Sequence, residues 1–248
     1  AYLVGTPIVV IQNGLDALTR AQRIAPGSDV VGGLATFASS YLSPGAITVT
    51  APGHLYLGGG AGDHDVPARY AARVLGEVLP VTVLDNFVGA QWTKLIINHI
   101  NALPAITGMS AQEVAANPTL LRIMTASMRE TIGVASAQKI RFETLQGLSA
   151  RKVRMLPHLP VSMGERLPRA LISAMGAVPN PGSTLQSIRR GQPTEIDYLN
   201  GAVVRAAALN GGSAPINAAL VSLVHEVERT GTFLSAEDVA SRVPLTVR

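Results

Sequence analysis

Cysteine is absent from the 248-residue chain. That excludes disulfides, a thiolate metal site and a cysteine nucleophile, and it suits a reducing compartment, so the expected location is the cytoplasm. Aromatic residues make up 4% of the sequence, too few for a base-stacking platform. Lysine is scarce as well: of the 20 basic residues only Lys94, Lys139 and Lys152 are lysine. Arginine is scattered, with one local cluster at Arg151, Lys152 and Arg154. The net charge of +4 therefore draws no nucleic-acid footprint and implies a mild attraction for small anions. No run of 18 or more apolar residues occurs; stretches such as Val81 to Leu84 and Leu95 to Ile97 are soon broken by polar groups, so no membrane span is expected. The opening AYLVGTPIVV has no basic flank and does not read as a signal peptide. A Gly-x-Ser-x-Gly elbow is missing, which leaves a serine hydrolase without support.

What is present is material for a core. The sequence is 47% hydrophobic and 15% charged, which excludes disorder and fits one large domain or two small ones. The first third reads as strands: Pro7 to Gln12, stopped by Asn13-Gly14; Asp29 to Thr36; and Ala46 to Thr50 with His54 to Leu57, flanking an expected hairpin turn at Ala51-Pro52-Gly53. A helix is expected from Val66 to Leu79, with Ala71, Ala72, Val74 and Leu75 on its apolar side, then a buried strand from Val81 to Leu84.

After Asp85 the pattern turns helical. Asp85 or Asn86 is placed to cap a helix through Trp92 to Ile100. Further helices are expected at Ala111 to Ala116, Thr119 to Gln138, Glu143 to Val153, Glu165 to Met175, Thr184 to Arg190, Thr194 to Leu209 and Ile216 to Arg229. Gly211-Gly212 stops one of these and Pro215 starts the next. Leu156 to Arg169, with three prolines, reads as a loop or broken helix. The expected fold class is α/β plus all-α. Residues 1–86 read as the second half of an α/β, Rossmann-type domain, and residues 87–248 as an all-helical domain. A nucleotide-binding sheet needs more strands than residues 1–86 hold, so the chain is expected to lack the opening of that domain, as a fragment or a natural truncation.

Three stretches carry candidate chemistry. In Trp92-Thr93-Lys94-Leu95-Ile96-Ile97-Asn98-His99-Ile100-Asn101, the positions of Lys94, Asn98 and Asn101 at i, i+4 and i+7 share one helix face. A desolvated lysine can give up a proton near neutral pH, and amides beside it can orient a polar substrate. The alternative is a snorkelling lysine with two structural asparagines. The second stretch is Gly182-Ser183-Thr184-Leu185-Gln186 followed by Pro193-Thr194-Glu195-Ile196-Asp197-Tyr198-Leu199-Asn200-Gly201. Ser183 with Gln186 matches a capping box, and Glu195 sits where the first turn of a helix favours a carboxylate. The third is Val10-Ile11-Gln12-Asn13-Gly14-Leu15-Asp16, which places Asn13 just past the carboxyl end of a strand, where open α/β sheets bind ligands; an ordinary Asn-Gly turn is the other reading.

These stretches, in this order, resemble the ketopantoate reductase (2-dehydropantoate 2-reductase) family. The matching strings are IQNGLD, WTKLIINHINAL and STLQSIRRGQPTEIDYLNG, with APIN downstream. The resemblance implies reduction of a 2-keto acid by hydride from NADPH, on a Rossmann domain followed by a helical domain, with the active site in the cleft between. It implies Lys94 as proton donor, Asn98 and Ser183 at the substrate, and Glu195 and Asn13 near the nicotinamide end of the cofactor and the substrate; Asn101, on the same helix face as Asn98, is expected at the substrate from its spacing. The expected partner is a small 2-keto acid, with no nucleic acid and no membrane. The Ala- and Leu-rich helices are expected to offer a homodimer surface.

Three departures stand against the family pattern. Ala102 occupies the place of a second asparagine four residues after Asn98, with Asn101 one residue earlier. Ser187 stands where many members have an aspartate. No Gly-x-Gly-x-x-Gly occurs; Gly58-Gly59-Gly60-Ala61-Gly62-Asp63 misses the spacing and reads as a flexible turn. Asp63-His64-Asp65 reads as a solvated loop, His99 as a satisfied core histidine, and no metal site is expected. Reduction of another 2-keto acid, or a non-catalytic binding or assembly module that keeps the fold, stays open.

Overall fold

The computed structural model describes residues 7–51, 53–59 and 65–245. The strand-rich third forms β1 (Ile8–Ile11), α1 (Ala17–Ile24), β2 (Val30–Ala35), β3 (Ala38–Ser43), β4 (Ala46–Ala51), β5 (Leu55–Gly58), α2 (Asp65–Leu75) and β6 (Val81–Val83). Four strands make one mixed sheet in the order β1-β2-β5-β6. β1 runs parallel to β2 with α1 as the crossover, β2 is antiparallel to β5, and β5 is parallel to β6.

Alternation along β2 divides the apolar residues between the two faces of the sheet. Val30 and Leu34 pack with Leu18 of α1 and with Phe87 and Ala90. Val31 packs on the other face with Leu55, Leu57 and the α2 residues Ala68 and Ala71. In α2, Ala71 is buried and Ala72 and Leu75 pack against the same cluster, as the sequence suggests; Ala68 joins them, and Val74 is exposed instead.

The hairpin lies one strand earlier than expected. β4 pairs antiparallel with β3 around Pro44-Gly45, where Gly45 has φ +79, and β5 belongs to the main sheet. The Pro-Gly turn signal prevails over Ala51-Pro52-Gly53, and Ser39-Ser40 hides a strand by lowering its apolar content. α1, whose eight residues bury Leu18 alone, is not among the expected helices. β6 is half-exposed, an edge strand rather than a buried one. The Gly58–Asp63 run lies partly outside the described residues, as does Asp63-His64-Asp65.

The helical part contains α3 (Phe87–Asn98), a 3-10 turn at His99–Asn101, α4 (Ala102–Thr107), α5 (Ala111–Ala116), α6 (Pro118–Ala137), α7 (Ala150–Met155), α8 (Val161–Gly164), α9 (Arg166–Ser173), α10 (Gly182–Arg189), α11 (Asn200–Leu209), α12 (Pro215–Thr230) and α13 (Ala236–Arg242). The chain divides into two compact units: one of residues up to Lys94 with Arg141–Leu148, the other of Leu95–Ile140 and the residues from Ser149 on. In the second unit α6 is the central helix, with Leu120, Leu121, Ile123, Met124, Met128 and Ile132 fully buried. Asn117 caps it by accepting from the N–H groups of Thr119 and Leu120, with Pro118 at the first turn.

Two expected helices are corrected. Residues 143–149 are not helical. Instead Asn86 Nδ2 donates to the Arg141 carbonyl at 2.8 Å, Thr93 Oγ1 donates to the Glu143 carbonyl at 2.7 Å and Gln146 Nε2 donates to the Thr36 carbonyl at 3.0 Å. The backbone N–H and carbonyl groups of Leu145 and Leu148 bond each other instead, at 3.1 and 2.9 Å, with Gln146 at φ +51, so the segment does not close helical bonds. The helix from Thr194 is also broken: a 3-10 turn at Ile196–Tyr198 precedes α11, because Leu199 takes φ −99 and ψ −97 to bury its side chain. α13 was not anticipated, although Ser235 and Asp238 form a full capping box there.

Candidate active site

The first residue of α3 fixes the helix on the sheet. Phe87 is 3% exposed and lies over Gly32 and Gly58, which face each other across β2 and β5. A Cβ on Gly32 would stand 2.3 Å from Phe87 Cε1, and one on Gly58 would stand 2.5 Å from Phe87 Cβ. Glycine at both positions is what lets the ring reach the sheet. Asn86 caps the helix by accepting from the Gly89 N–H at 3.2 Å, as the sequence predicts. Two turns on, α3 presents Lys94, half-buried, and one turn later Asn98, 7% exposed.

α3 ends at Asn98 and tightens into the 3-10 turn. At three residues per turn positions i and i+3 eclipse, so Asn101 stands one turn above Asn98 on the same side. The shared face expected for Lys94, Asn98 and Asn101 is therefore kept through a change of helix type. Asn98 Nδ2 is buried and has no hydrogen-bond partner in the protein. An unpaired buried amide N–H costs about 1–3 kcal/mol, so this donor is a ready partner for a ligand oxygen.

α10 packs its first turn against this asparagine ladder. Gly182 has φ +72, and a Cβ there would lie 2.5 Å from Asn101 Oδ1. The Gly182 N–H is held by Asn180 Oδ1 at 2.8 Å. Ser183, the next residue, is exposed inside the first turn of α10. The capping box with Gln186 is not formed, since Pro181 occupies the cap position with no side-chain bond. Sequence reasoning missed Asn180 and Gly182, although Asn180-Pro181-Gly182 is a turn signal. Thr184, buried beside Ser183, has no partner for its hydroxyl.

Glu195 belongs to the second unit. It is exposed and begins the 3-10 turn Ile196–Tyr198, its carbonyl accepting from the Tyr198 and Leu199 N–H groups. It is not in the first turn of an α-helix, because the break at Leu199 intervenes. Asn13 is half-buried in the bend just past β1 in the first unit, followed by Gly14 at φ +90.

Two asparagines of the matched strings, Asn200 and Asn217, hold the helices together instead. Asn217 Oδ1 accepts from Ser127 Oγ and Asn200 Nδ2, both at 2.9 Å, and Asn217 Nδ2 donates to Glu130 Oε2 at 2.7 Å. His99 joins this network through Nε2, 2.5 Å from Thr131 Oγ1. Its Nδ1 and the Asn200 Oδ1 lack partners within hydrogen-bond limits. Burial lowers the His99 pKa to about 4, against a small upward pull from Asn200, so the ring is neutral at physiological pH. His99 is a core histidine, though incompletely satisfied.

A groove of about 600 Å³ lies among α7, α8 and α9, lined by Met155, Leu156, Met163 and Leu167 with Arg151 and Arg166. None of the candidate site residues lines it. Among the described residues no group of three or more His, Asp or Glu could hold a metal, and no helix is long and apolar enough to cross a membrane.

A small mixed sheet with helices on both faces, followed by a helical region that ends α3 in an asparagine ladder, defines an α/β-plus-helical fold class. Residues 86–228 match the family model described as ketopantoate reductase PanE/ApbA C terminal, and residues 3–62 match ketopantoate reductase PanE/ApbA. The chain belongs to the ketopantoate reductase family. It is 29% identical over 241 residues to a 2-dehydropantoate 2-reductase of Escherichia coli O157:H7, covering 93% of this chain and 70% of that protein; another relative of the same name is covered over 61% of its length. A crystal structure of a PanE/ApbA family ketopantoate reductase from Ralstonia eutropha JMP134 superposes with TM-score 0.70 at 26% identity, covering 90% of this chain and 67% of that one. The ternary structure of D-mandelate dehydrogenase with NADH and anilino(oxo)acetate superposes with TM-score 0.74 at 21% identity, covering 91% and 68%.

Proposed function

We propose that this chain carries the keto-acid site of an NADPH-dependent 2-dehydropantoate 2-reductase, which reduces ketopantoate to pantoate with Lys94 as the proton donor. The observation that carries this reading is Asn98 Nδ2: a buried donor with no protein acceptor, on the residue one helical turn after Lys94 in α3. The relatives named 2-dehydropantoate 2-reductase support the substrate. A fold relative solved with NADH and an oxoacetate supports a nicotinamide cofactor and an oxo acid.

The described residues fit part of such a cofactor. Asn13 stands past the carboxyl end of β1, where open sheets bind ligands, and Gly14 at φ +90 keeps a side chain off that turn. No glycine-rich phosphate turn is present among the described residues. Bound there, a reduced nicotinamide supplies hydride to the keto carbon.

As charge grows on the ketone oxygen, the Lys94 ammonium stabilises it and delivers a proton. Asn98 donates to a substrate oxygen, Asn101 and the Ser183 hydroxyl hold the remaining polar groups, and Glu195 accepts from a substrate hydroxyl or from Lys94. Ala102 and Ser187, in place of the usual asparagine and aspartate, favour a differently shaped 2-keto acid as the second reading.

The test is NADPH oxidation across a panel of 2-keto acids, using the full-length protein that contains this chain. Ketopantoate is expected to be turned over fastest, and Lys94→Ala to lower turnover by about 10²- to 10⁴-fold. Near-normal turnover in that variant refutes the acid role; no oxidation with any keto acid refutes the reductase reading.

A further inference from the structure

The turn that carries Glu195 is fastened to α12 through one histidine. His225, on α12, places Nδ1 2.6 Å from Glu228 Oε2 and Nε2 3.0 Å from Asp197 Oδ1. Asp197 lies in the 3-10 turn two residues after Glu195. Glu228 uses its other oxygen, Oε1, to accept from the Thr194 N–H at 2.8 Å, immediately before Glu195. Arg205 of α11 donates to the Asp197 carbonyl at 2.8 Å. The Glu195 turn is thus gripped on both sides, and His225 links the two grips.

A carboxylate can only accept hydrogen bonds. A neutral imidazole has one N–H and can satisfy one of the two carboxylates; only the imidazolium has the two donors this geometry requires. We propose that His225 is a positioning residue, a proton-dependent clasp that holds the Glu195 turn against α12 when charged and releases the Asp197 side when neutral.

Electrostatics agree. Hydrogen bonding to Glu228 raises the His225 pKa above the ordinary histidine value; partial burial opposes this, and Asp197 adds to it. Burial pushes the Glu228 carboxyl up, but its bonds from His225 and Thr194 outweigh this and leave it below the usual range. The charged groups facing the ring are Asp197 from the 3-10 turn and Glu228 from α12, with Arg205 of α11 on the Asp197 carbonyl. The neighbouring Glu226 is engaged by Arg242 of α13. α4, packed on α12, has no ionisable side chain, and Glu130 of α6 is bound at the opposite end of α12, to the Ile216 and Asn217 N–H groups. Because the folded pKa is raised, the clasp is complete below the unfolded histidine pKa and is lost as pH rises through the folded one.

This inference rests on Glu195 serving the proposed reaction, so two readouts are needed. In the full-length protein, backbone amide exchange of Thr194 to Leu199 is compared with His225→Gln and His225→Arg as pH rises through neutrality. The wild type is expected to lose protection of these amides relative to Arg, which keeps two donors at every pH. Gln, whose two N–H groups sit on one nitrogen and whose other terminal atom only accepts, cannot bridge both carboxylates and is expected to show the loosened state throughout. In parallel, kcat/KM for the keto acid is expected to fall about five- to tenfold in wild type over the same pH range, to stay low in Gln and to stay high in Arg. Parallel exchange profiles in the three proteins overturn the clasp whatever the activity. A pH-dependent exchange difference without any change in kcat/KM keeps the clasp and removes Glu195 from the reaction.

Discussion

At its first residue α3 rests an aromatic ring on a floor of two glycines; at its last it enters a region of buried amides and hydroxyls. The first contact is apolar, close-fitting and complete. The second contains Asn98 Nδ2, His99 Nδ1, Asn200 Oδ1 and Thr184 Oγ1, all buried and without partners. Apolar packing is satisfied within the protein itself, whereas an unpaired polar atom keeps an opening for something else. One end of the helix is therefore built for stability, and the other carries a standing cost that a ligand can offset.

The largest expected effect is at the stable end. Phe87→Ala leaves a cavity between α3 and the glycine floor and should cost about 3–5 kcal/mol, read as a shift in urea midpoint; a loss under about 1 kcal/mol would show that the floor does not anchor the helix.

His99 separates the two ends by pH. The unfolded chain takes up a proton at His99 near pH 6.5, whereas the folded ring resists until about 4. Its contribution is whole above the unfolded value and is lost as pH falls toward the folded one, about 3 kcal/mol in all. His99→Gln should flatten that part of the stability profile in urea titrations; identical slopes would mean the ring is already charged.

Gly182→Ala places a Cβ against Asn101 Oδ1 at a left-handed backbone position. It should cost about 1–3 kcal/mol and raise KM for the keto acid by moving Ser183; an unchanged thermal midpoint and KM would contradict the close fit. The smallest shift in stability sharpens the comparison most. Asn98→Leu removes an unpaired donor and should stabilise the fold by about 1 kcal/mol while weakening keto-acid binding, measured by calorimetry. A destabilised variant with intact affinity would place Asn98 among the structural asparagines.

Much of this arrangement was legible beforehand. The helix period brought Lys94, Asn98 and Asn101 to one face, and the 3-10 turn at His99–Asn101 preserves that alignment. The capping signal at Asn86 and the start of α12 at Pro215 stand where the residues put them. Other features were hidden for identifiable reasons. Residues 143–149 have helix-forming composition, yet Thr93 takes the Glu143 carbonyl and Leu145 and Leu148 bond each other's backbone. Ser183 matches a capping motif, yet the turn at Asn180-Pro181-Gly182 starts the helix before it.

By itself the sequence determined the periodicities, the turn residues and the order of the candidate strings, because these depend on bonds and neighbours a few residues apart. Only the tertiary structure decided which asparagine donor is buried without a partner and which asparagines tie helices together. Asn98 and Asn200 are chemically the same side chain, and their difference lies in whether Asn217 and Ser127, contributed by distant helices, reach their amide groups. Such meetings depend on packing, which no local pattern encodes.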